Sequence, residues 1–521
     1  MSRVIFLSDN TSFGKVGAQR YVGPYAVAHS LENAGIDTVI IDYFNSKENF
    51  FDYLKDFLTA DTRFVGISST FISPPYSNKL WYAVNALTHS TESYSSTPLM
   101  FKEATDFAVW LTQLRNTMNA VCPEAKIIVG GAKVQFLLNY SKEYLGEIDY
   151  FLWGSADTIM VDIVRTLESG HEPVTLEVNG HKVIDTINEY KTTKACPPFE
   201  WKSKWAVQSQ EALPIEISRG CIFNCKYCHY EKKESFRKNI DDLRNELIRN
   251  YELFNTTFYH FCDDCFNDSR GKVEAVCNMI KSLPFEIEWI SYARVDVAIK
   301  FPETARLMVE SGCRALHWGI ETLNGKVAKQ VGKGTPSELV KEFLVSFYRD
   351  HGDLCLSHGS FITGLPGETK ESQMQTINWI CENESLHFIT VGPLKLFPYK
   401  NSFDGQAMDF SEYSRDPVKY GFKKISFDPT DWEHETMNRQ EAFDFATVFN
   451  ENWRKSRPYR RGTINTMWNY PHLRSLGYSL EDTRKIYFEV SSAGANAKDL
   501  NSRYVDRLQS YHADNLKKNK R

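Results

Sequence analysis

The sequence predicts an α/β protein with an N-terminal doubly wound parallel sheet, then a partial (β/α)6 barrel and a mainly helical C-terminal region. Two series of short apolar strands alternate with helical patterns, and a Cys-Pro-Pro segment at 196–198 separates the two series. The part of the chain that follows the second series is rich in aromatic and charged residues and has a helical pattern. We therefore expect three domains, at 1–190, 205–420 and 421–521.

The first series contains five short apolar strands joined by helical patterns, which is typical of a doubly wound sheet. Ligands of such sheets bind beyond the carboxyl ends of the strands. Gly130 and Gly131, which follow the fourth strand, are therefore candidate ligand-binding residues. Further along the chain, Asn179-Gly180 is a β-hairpin signature. The five predicted strands are 4–7, 38–41, 64–67, 126–129 and 149–152.

The second series contains six strand candidates with helical segments between them. Six such units, without a seventh and an eighth, predict a partial barrel rather than a closed one. In barrels of this kind the chemistry is carried by the loops that follow each strand. The six predicted strands are 214–218, 257–262, 286–292, 314–319, 354–363 and 387–394.

The composition is that of a globular protein with large cores. Hydrophobic residues make up 42% of the 521 residues, and aromatic residues make up 14%. The net charge of −5 disfavours general nucleic-acid binding. No apolar run reaches the roughly 18 residues of a membrane span, and the N-terminus lacks a signal-peptide pattern. We therefore expect a cytoplasmic protein that does not bind a membrane and whose thiols stay reduced.

Three cysteines, Cys221, Cys225 and Cys228, follow the first barrel strand within eight residues. Thiolates are the ligands that iron–sulfur clusters select, and three of them leave one iron of a 4Fe-4S cluster open to another ligand. The alternatives are a zinc site or three unrelated core cysteines. Zinc would require a fourth ligand, and His229 is poorly placed because it is adjacent to Cys228. A second Cys-x-x-Cys at 262–265 is either a pair of buried thiols or part of a second cluster.

The spacing Cys221-x3-Cys225-x2-Cys228, with Tyr227 before the last cysteine, resembles the signature of the radical S-adenosylmethionine (SAM) superfamily. The resemblance covers residues 213 to about 395. It implies that the three cysteines are the metal ligands and the catalytic centre, and that Tyr227 lies at the cofactor. It also implies that SAM chelates the open iron and is cleaved to methionine and a 5′-deoxyadenosyl radical. An electron donor such as flavodoxin or ferredoxin would then be a partner.

Other motifs support this resemblance in order along the barrel. Asp263-Asp264 follows the second strand, where many members carry Gly-Gly-Glu, and it looks like the variant found in members with a cobalamin-type N-terminal domain. It would bind the SAM ammonium group; a loop cap is the alternative. Ser291 and Arg294 follow the third strand. Arg294 would hold the SAM carboxylate or a substrate anion, with an ion pair to Asp296 as the alternative.

Two motifs later in the barrel resemble a nucleoside pocket. Gly319-Ile-Glu321 resembles the ribose motif, in which Glu321 would accept hydrogen bonds from the sugar. The alternative is a carboxylate at a helix N-terminus. Gly364-Leu-Pro-Gly367 resembles the turn at which glycine lets the backbone approach adenine, and a plain turn between strand and helix is compatible with that role.

The N-terminal sheet before the barrel resembles a cobalamin-binding domain, in which Gly130 and Gly131 would line the cofactor. Two departures stand against this. The 9–14 segment lacks the histidine that ligates cobalt in part of the family, and Gly154-Ser155-Ala156 stands where Gly-Glu-Gly is usual. The resemblance implies cobalamin as a cofactor; a domain that keeps the fold without the cofactor is the alternative.

The function implied is a radical SAM enzyme, with cobalamin-dependent methyl transfer to an unactivated carbon of an unidentified substrate. One alternative is a radical cyclase, epimerase or rearrangement enzyme without methyl transfer. A methylthiolating RNA enzyme would need three further cluster cysteines in the N-terminal domain, whereas only Cys122 and Cys196 precede Cys221. A non-catalytic iron–sulfur scaffold is the last alternative; the nucleoside motifs argue against it.

Overall fold

The computed structural model describes most of the chain. Three features of the sequence lie outside the described residues: the 9–14 segment, His229 and the polar insertion at 72–100. The described residues are 2–8, 20–42, 49–69, 104–131, 134–138, 145–157, 159–185, 196–228, 235–396, 411–427, 430–457, 467–488 and 510.

The N-terminal sheet is doubly wound, as predicted. Its order is β2-β1-β3-β4-β5-β7-β6, and every neighbouring pair is parallel except β6 with β7. Helices α1 and α5 cover one face, whereas α2, α3 and α4 cover the other. The strands are β1 (Arg3–Leu7), β2 (Asp37–Ile41), β3 (Thr62–Ser68), β4 (Lys126–Gly130), β5 (Tyr150–Trp153), β6 (Leu176–Val178) and β7 (His181–Asp185). The helices are α1 (Val22–Asn33), α2 (Phe50–Lys55), α3 (Ala104–Asn119), α4 (Val134–Leu137) and α5 (Met160–Glu168).

The predicted hairpin at Asn179-Gly180 is confirmed. The two residues have φ angles of 49° and 80°, as a two-residue turn of this type requires. Strand β7 of the hairpin also pairs with β5 in parallel. The hairpin therefore adds two strands at one edge of the sheet, which has seven strands instead of the five predicted.

The second sheet is an open, all-parallel partial barrel with the order β15-β14-β13-β12-β11-β8. Its strands are β8 (Leu213–Ile215), β11 (Phe258–Phe261), β12 (Glu288–Arg294), β13 (Cys313–Glu321), β14 (Leu356–Thr363) and β15 (Phe388–Pro393). A short antiparallel pair, β9 (Ser218–Arg219) and β10 (Phe236–Arg237), follows β8. The helices between the strands are α6 (Ile240–Phe254), α7 (Arg270–Lys281), α8 (Val295–Lys300), α9 (Pro302–Glu310), α10 (Gly325–Gln330), α11 (Ser337–His351) and α12 (Lys370–Glu382).

The C-terminal part combines helices with a hairpin that the sequence analysis did not predict. Trp432 anchors this hairpin, because its ring is fully buried and its Nε1 donates to Leu394 O at 2.8 Å. The elements are α13 (Glu412–Arg415), β16 (Phe422–Phe427), β17 (Thr430–His434), α14 (Arg439–Ser456), α15 (Tyr470–Ser475) and α16 (Leu480–Phe488). No helix among the described residues is long and apolar enough to cross a membrane.

Helix α15 closes the amino-terminal end of the barrel. Tyr470 and Leu473 pack against residues such as Ile290 that point into the barrel from its strands. At the start of β12, Glu288 accepts hydrogen bonds from the Tyr470 hydroxyl at 2.9 Å and from Arg474 Nε at 2.8 Å. The open end of the barrel is therefore the carboxyl end of its strands.

Candidate functional site

The three cysteines of the motif lie on one loop at the carboxyl end of the barrel. Cys225 is buried, and Cys221 and Cys228 are half-buried. The amide of Cys228 donates to Cys225 O at 3.0 Å, which closes a turn between the second and third thiol. The loop is fixed to the loop after α10, because the amide of Lys226 donates to Val331 O at 3.1 Å.

Arg294 at the end of β12 contacts the cysteine loop directly. Its Nη1 donates to Cys225 Sγ at 2.9 Å, and the guanidinium lies 3.9 Å from the centroid of the Phe223 ring. Its Nε and Nη2 bind the two oxygens of Asp296 at 2.9 and 2.6 Å. The structure therefore contains the ion pair with Asp296 that was the alternative to binding of the SAM carboxylate or a substrate anion. Arg294 thus orients the sulfur of Cys225 at the barrel mouth.

A fourth cysteine, Cys265, lies against the motif. The pKa of Cys221 is lowered to about 7, chiefly because the Cys265 thiol donates a hydrogen bond to it, while the charge of Asp264 acts in the opposite direction. The second Cys-x-x-Cys does not act as a pair, because Cys262 Sγ faces His260 O at 3.6 Å. The sequence analysis did not predict the contact of Cys265 with Cys221, although the second cysteine pair, in the loop after the next barrel strand, indicated that another thiol lies near the motif.

The two aspartates that follow β11 have different surroundings. Asp263 is fully buried, and its carboxylate accepts from the amides of Ile217 and Ser218, both at 3.0 Å, and from Lys272 Nζ at 2.7 Å. It therefore positions the start of the cysteine loop. The expectation that Asp263 binds the SAM ammonium group is therefore corrected, because both oxygens of its carboxylate already bind groups of the protein. Asp263 has the alternative role, that of a loop cap. Asp264 is half-buried, and its charge reaches Cys221.

Glu321 ends β13 in a left-handed conformation, with φ of 68° at an irregularity between β13 and β14. Its Oε1 lies 3.2 Å from Lys333 Nζ, and Ser360 Oγ lies 3.4 Å from its Oε2. The pKa of Tyr227 is raised because Tyr227 is desolvated and lies beside the charge of Glu321. The hydroxyl of Tyr227 also donates a hydrogen bond to Glu321. A left-handed non-glycine residue at a strand end is unusual and is typical of functional sites. Tyr227 of the motif and Glu321 thus meet at the barrel mouth.

Glu321 does not cap the following helix. The N-cap of α10 is Asn324, whose Oδ1 accepts from the amides of Lys326 at 3.1 Å and Val327 at 3.3 Å. The alternative of a carboxylate at the helix N-terminus is therefore wrong, since the cap position is already filled.

Ser291 and Gly364 have structural surroundings different from those expected. Ser291 is fully buried, and it lies on the same face of β12 as Trp289, which packs in the core between strands and helices. Because side chains alternate along a strand, Ser291 points away from the barrel mouth, and its expected role at the cofactor is corrected. A Cβ on Gly364 would lie 2.5 Å from the Trp432 ring, so the packing of this ring requires glycine there.

The carboxyl edge of the N-terminal sheet is lined by small residues. Gly131 has φ of 108°, and a Cβ there would lie 2.8 Å from Ser69 Oγ. Ser69 in turn donates its amide to Gly130 O at 2.7 Å. Ser8 Oγ at the end of β1 is buried, and among the described residues it has no hydrogen-bond partner. The small side chains that the structure describes directly after β1, β3 and β4, together with the Ser8 hydroxyl, fit close approach of a large cofactor such as cobalamin.

The donor set also fits an iron–sulfur cluster. Among the described residues, no group of three or more His, Cys, Asp or Glu side chains converges on a point that would hold a single metal ion. A 4Fe-4S cluster does not require such convergence, because each thiolate binds a different iron. Three thiols on one loop, one beside a guanidinium and one with a lowered pKa, provide the chemistry that such a cluster needs.

Comparison with known proteins supports this interpretation. Residues 215–380 match the radical SAM superfamily. An uncharacterized methyltransferase of Pyrococcus horikoshii is 25% identical over 271 residues, which cover 49% of this chain and 57% of that protein. Bacteriochlorophyllide d C-12(1)-methyltransferase of Chlorobaculum tepidum is 27% identical over 253 residues, covering 45% of this chain and 54% of the relative. The matched regions span just over half the length of these curated relatives.

Solved structures also resemble the chain over nearly its whole length. The radical SAM methyltransferase TsrM from Kitasatospora setae, solved with cobalamin and a [4Fe-4S] cluster bound, superposes with a TM-score of 0.57. The alignment covers 98% of this chain and 100% of TsrM at 13% identity, so the likeness concerns the fold. The chain therefore carries a radical SAM domain at residues 215–380, and this domain follows an N-terminal sheet with the fold seen in a cobalamin-containing member of that superfamily.

Proposed function

We propose that the protein is a radical SAM enzyme in which Cys221, Cys225 and Cys228 hold a 4Fe-4S cluster and the N-terminal domain holds cobalamin. When bound, the cluster supplies the electron that cleaves SAM to methionine and a 5′-deoxyadenosyl radical, and cobalamin supplies a methyl group for an unactivated carbon. The observation that carries the proposal is the hydrogen bond from Arg294 to Cys225 at the barrel mouth.

The residues around the thiols have separate tasks in this proposal. Arg294, oriented by Asp296, donates a hydrogen bond to the sulfur of Cys225 and would hold it at the cluster. Cys265 donates to Cys221 and lowers its pKa to about 7, so that a large fraction of Cys221 is ionised at neutral pH. Hydrogen bonds to cluster sulfurs also raise the reduction potential of the cluster, so that an electron donor reduces the cluster more easily. That electron would come from a donor such as flavodoxin or ferredoxin, in the reducing cytoplasm.

Two carboxylates at the barrel mouth are assigned to SAM. Asp264 lies beside Cys221 and would receive the ammonium group, since a carboxylate and an ammonium group form a charge-assisted hydrogen bond. Glu321 would receive the ribose hydroxyls, and its ion pair with Lys333 holds the carboxylate at the mouth. Asp263 contributes by positioning the backbone of Ser218, three residues before Cys221.

Cobalamin would lie at the carboxyl edge of the N-terminal sheet, against Gly130 and Gly131. The bond between Asp157 after β5 and Arg219 supports this, because it brings that edge to the cysteine loop. Methyl transfer is further supported by the names of the two curated relatives, both methyltransferases. A methylthiolating enzyme is disfavoured because Cys122 and Cys196 alone precede Cys221 in the sequence.

The test is anaerobic reconstitution of the full chain with iron, sulfide and hydroxocobalamin, followed by dithionite and SAM. Methionine and 5′-deoxyadenosine should form, and methyl transfer should also give S-adenosylhomocysteine in an amount comparable to 5′-deoxyadenosine once substrate is present. A cyclase, epimerase or rearrangement enzyme would give 5′-deoxyadenosine without S-adenosylhomocysteine. A protein that binds iron but does not cleave SAM would be the scaffold, and the proposal would be wrong.

A further inference from the structure

The interior of the barrel contains an aromatic layer below the cysteine loop. Tyr292 is 39% exposed, although its neighbours Ile290 and Ala293 on β12 are buried. Since the outer face of β12 is covered by helices, this exposure means that Tyr292 faces an open space inside the barrel. Tyr292 is the register partner of His317 on β13, which is the register partner of His358 on β14. The three side chains therefore form one row across the interior.

The C-terminal part of the chain adds a ring to this row. The Trp468 ring lies 4.6 Å from that of Tyr292, 5.6 Å from that of His317 and 4.9 Å from that of His260, measured between centroids. Its neighbours Met467 and Tyr470 pack deeper in the closed end of the barrel. Trp468 consequently forms the floor of the open space, which gives the C-terminal part a place in the site.

The layer is uncharged at neutral pH. Burial lowers the pKa of His317 and of His260 to about 3, so both imidazoles stay neutral. Desolvation inside the barrel, together with the charge of Asp264, raises the pKa of Tyr292 to about 12. Above the layer, Arg294 is paired with Asp296 and Lys333 with Glu321, while Asp264 is assigned to the SAM ammonium group in the proposed function.

A buried polar atom of His317 belongs to the layer. Among the described residues, the buried Nε2 of His317 has no hydrogen-bond partner. A buried nitrogen without a partner is costly, and a bound ligand with a complementary group would remove that cost. The layer therefore combines aromatic faces with a hydrogen-bonding position at His317.

The layer also lies close to the proposed reaction centre. Tyr292 precedes Arg294 by two residues on the same face of β12, a separation of about 7 Å along a strand. Arg294 contacts Cys225 Sγ. A ligand resting on Tyr292 and Trp468 would thus lie between the floor of the barrel and the cysteine loop, where a radical formed at the mouth can reach it.

We propose that Tyr292, His317 and Trp468 form the floor of the substrate pocket and that the pocket takes a flat, uncharged aromatic group with one hydrogen-bonding atom directed at His317. Flat rings pack well in offset or edge-to-face arrangements against such a floor, whereas an anionic group would be desolvated there without a cationic partner. The proposal identifies the substrate class and rests on the proposed radical SAM function of the same barrel.

The test uses indole as the probe and the reconstituted full-length protein without SAM. Saturation-transfer NMR titrations give the dissociation constant for the wild type and for the variants Tyr292→Ala, Tyr292→Phe and Trp468→Ala. Binding should weaken at least 10-fold in both alanine variants and return in Tyr292→Phe, which keeps the ring. The anion indole-3-carboxylate should bind the wild type at least 10-fold more weakly than indole does.

Tyr251→Ala is the matched control. Tyr251 is 37% exposed and stacks on Phe285 outside the barrel, with the centroids 4.0 Å apart. This variant should bind indole as the wild type does. Loss of binding in Tyr251→Ala with retention in Tyr292→Ala and Trp468→Ala would place the probe at the outer surface and overturn the proposal. A thermal melt of each variant identifies loss of folding. If an alanine variant does not fold, the wild type decides the matter, because equal affinity for indole and indole-3-carboxylate would contradict an uncharged floor.

Failure of this inference is distinguishable from failure of the proposed function. Wild-type protein that cleaves SAM but does not bind indole would contradict the pocket and leave the radical SAM function standing. Wild-type protein that binds indole in the barrel but does not cleave SAM would contradict the proposed function, while the pocket itself would stand.

Discussion

Arg219 and Asp157 join the two domains next to the cysteine loop, with Arg219 Nη1 donating to Asp157 Oδ2 at 2.5 Å. Both side chains are nearly buried, at 11% and 6% exposure, and Arg219 also binds Glu216 at 2.7 Å. Arg219 precedes Cys221 by two residues, and Asp157 follows β5 at the carboxyl edge of the N-terminal sheet. This ion pair therefore links the proposed cobalamin and cluster sites, alongside the buried ion pair of Arg20 with Glu211 that also joins the two domains.

Asp157→Asn should weaken this relation. Breaking a buried pair costs about 3–5 kcal/mol where the remaining charge has no partner, and less here because Glu216 still binds Arg219. Formation of S-adenosylhomocysteine should fall more than formation of 5′-deoxyadenosine, because the cluster and SAM lie within the barrel. Both products are quantified by mass spectrometry.

Glu172→Gln is the control for this prediction. Glu172 binds Lys182 in the same N-terminal domain, and this pair contributes little because the two side chains are 56% and 59% exposed. Glutamine keeps a side-chain oxygen that can accept from the Tyr150 hydroxyl, which also binds Glu172. The control should have the wild-type product ratio. Equal loss of both products in Asp157→Asn would contradict this prediction, because it would mean that the ion pair stabilises the barrel and not the position of the N-terminal domain relative to it.

Cys265→Ala should shift the ionisation of Cys221. The hydrogen bond from Cys265 lowers the pKa of Cys221 to about 7, so its removal should move that pKa upward and leave less thiolate at neutral pH. Iodoacetamide reacts with the thiolate, and peptide mass spectrometry of the apo-protein between pH 6 and 10 gives the midpoint for Cys221. Cys196→Ala, which removes a buried cysteine outside the motif, should leave the midpoint unchanged. An unchanged midpoint in Cys265→Ala would refute the contact.

Glu321→Gln tests the pocket independently of the cluster. Loss of charge-assisted hydrogen bonds to the ribose costs about 1.5–3 kcal/mol, so SAM affinity should fall roughly 10- to 100-fold. Iron content should stay at the wild-type level. Asn324→Ala removes the cap of α10 and should cost about 1 kcal/mol of stability without weakening SAM binding. Wild-type SAM affinity in Glu321→Gln, measured by calorimetry, would exclude the ribose role.

The stability of the protein should fall as the pH falls from about 6.5 toward 4, in part because of His472. Burial lowers the pKa of His472 to about 4 in the folded state, whereas an unfolded histidine has a pKa near 6.5. The unfolded state therefore binds more protons in this window, and at pH 5 the loss is about 2 kcal/mol. Urea titrations of His472→Asn at pH 7.5 and 5.0 should show a smaller difference than the wild type. His171→Asn, which alters an exposed side chain, should match the wild type.

The alternation of short apolar strands with helical patterns was sufficient to predict both parallel sheets, and Asn179-Gly180 was sufficient for the hairpin. The C-terminal hairpin was not predictable in the same way, because it depends on Trp432 packing against the distant Gly364. Such contacts join residues that are far apart in the sequence, and local patterns do not record them.

The sequence predicted the parts of the site that depend on residue spacing within one loop, but not those that depend on the direction in which a side chain points. The spacing of Cys221, Cys225 and Cys228 indicated the motif, and Tyr227 and Glu321 lie together as the resemblance implied. Asp263 and Ser291 were misassigned because the sequence does not indicate whether a side chain at a strand end points to the mouth or to the core. The proximity of Cys265 to Cys221 depends on the pairing of β11 with β8.

The most direct test of the central claim is the yield of 5′-deoxyadenosine from three reconstituted variants, Cys221→Ala, Cys225→Ala and Cys228→Ala. Each thiolate is assigned one iron, so each variant should lose the brown cluster absorbance and form no 5′-deoxyadenosine from SAM and dithionite. Cys122→Ala, which alters a buried cysteine of the N-terminal domain, should retain both. Full 5′-deoxyadenosine formation by any of the three variants would contradict the assignment of the cluster to these cysteines.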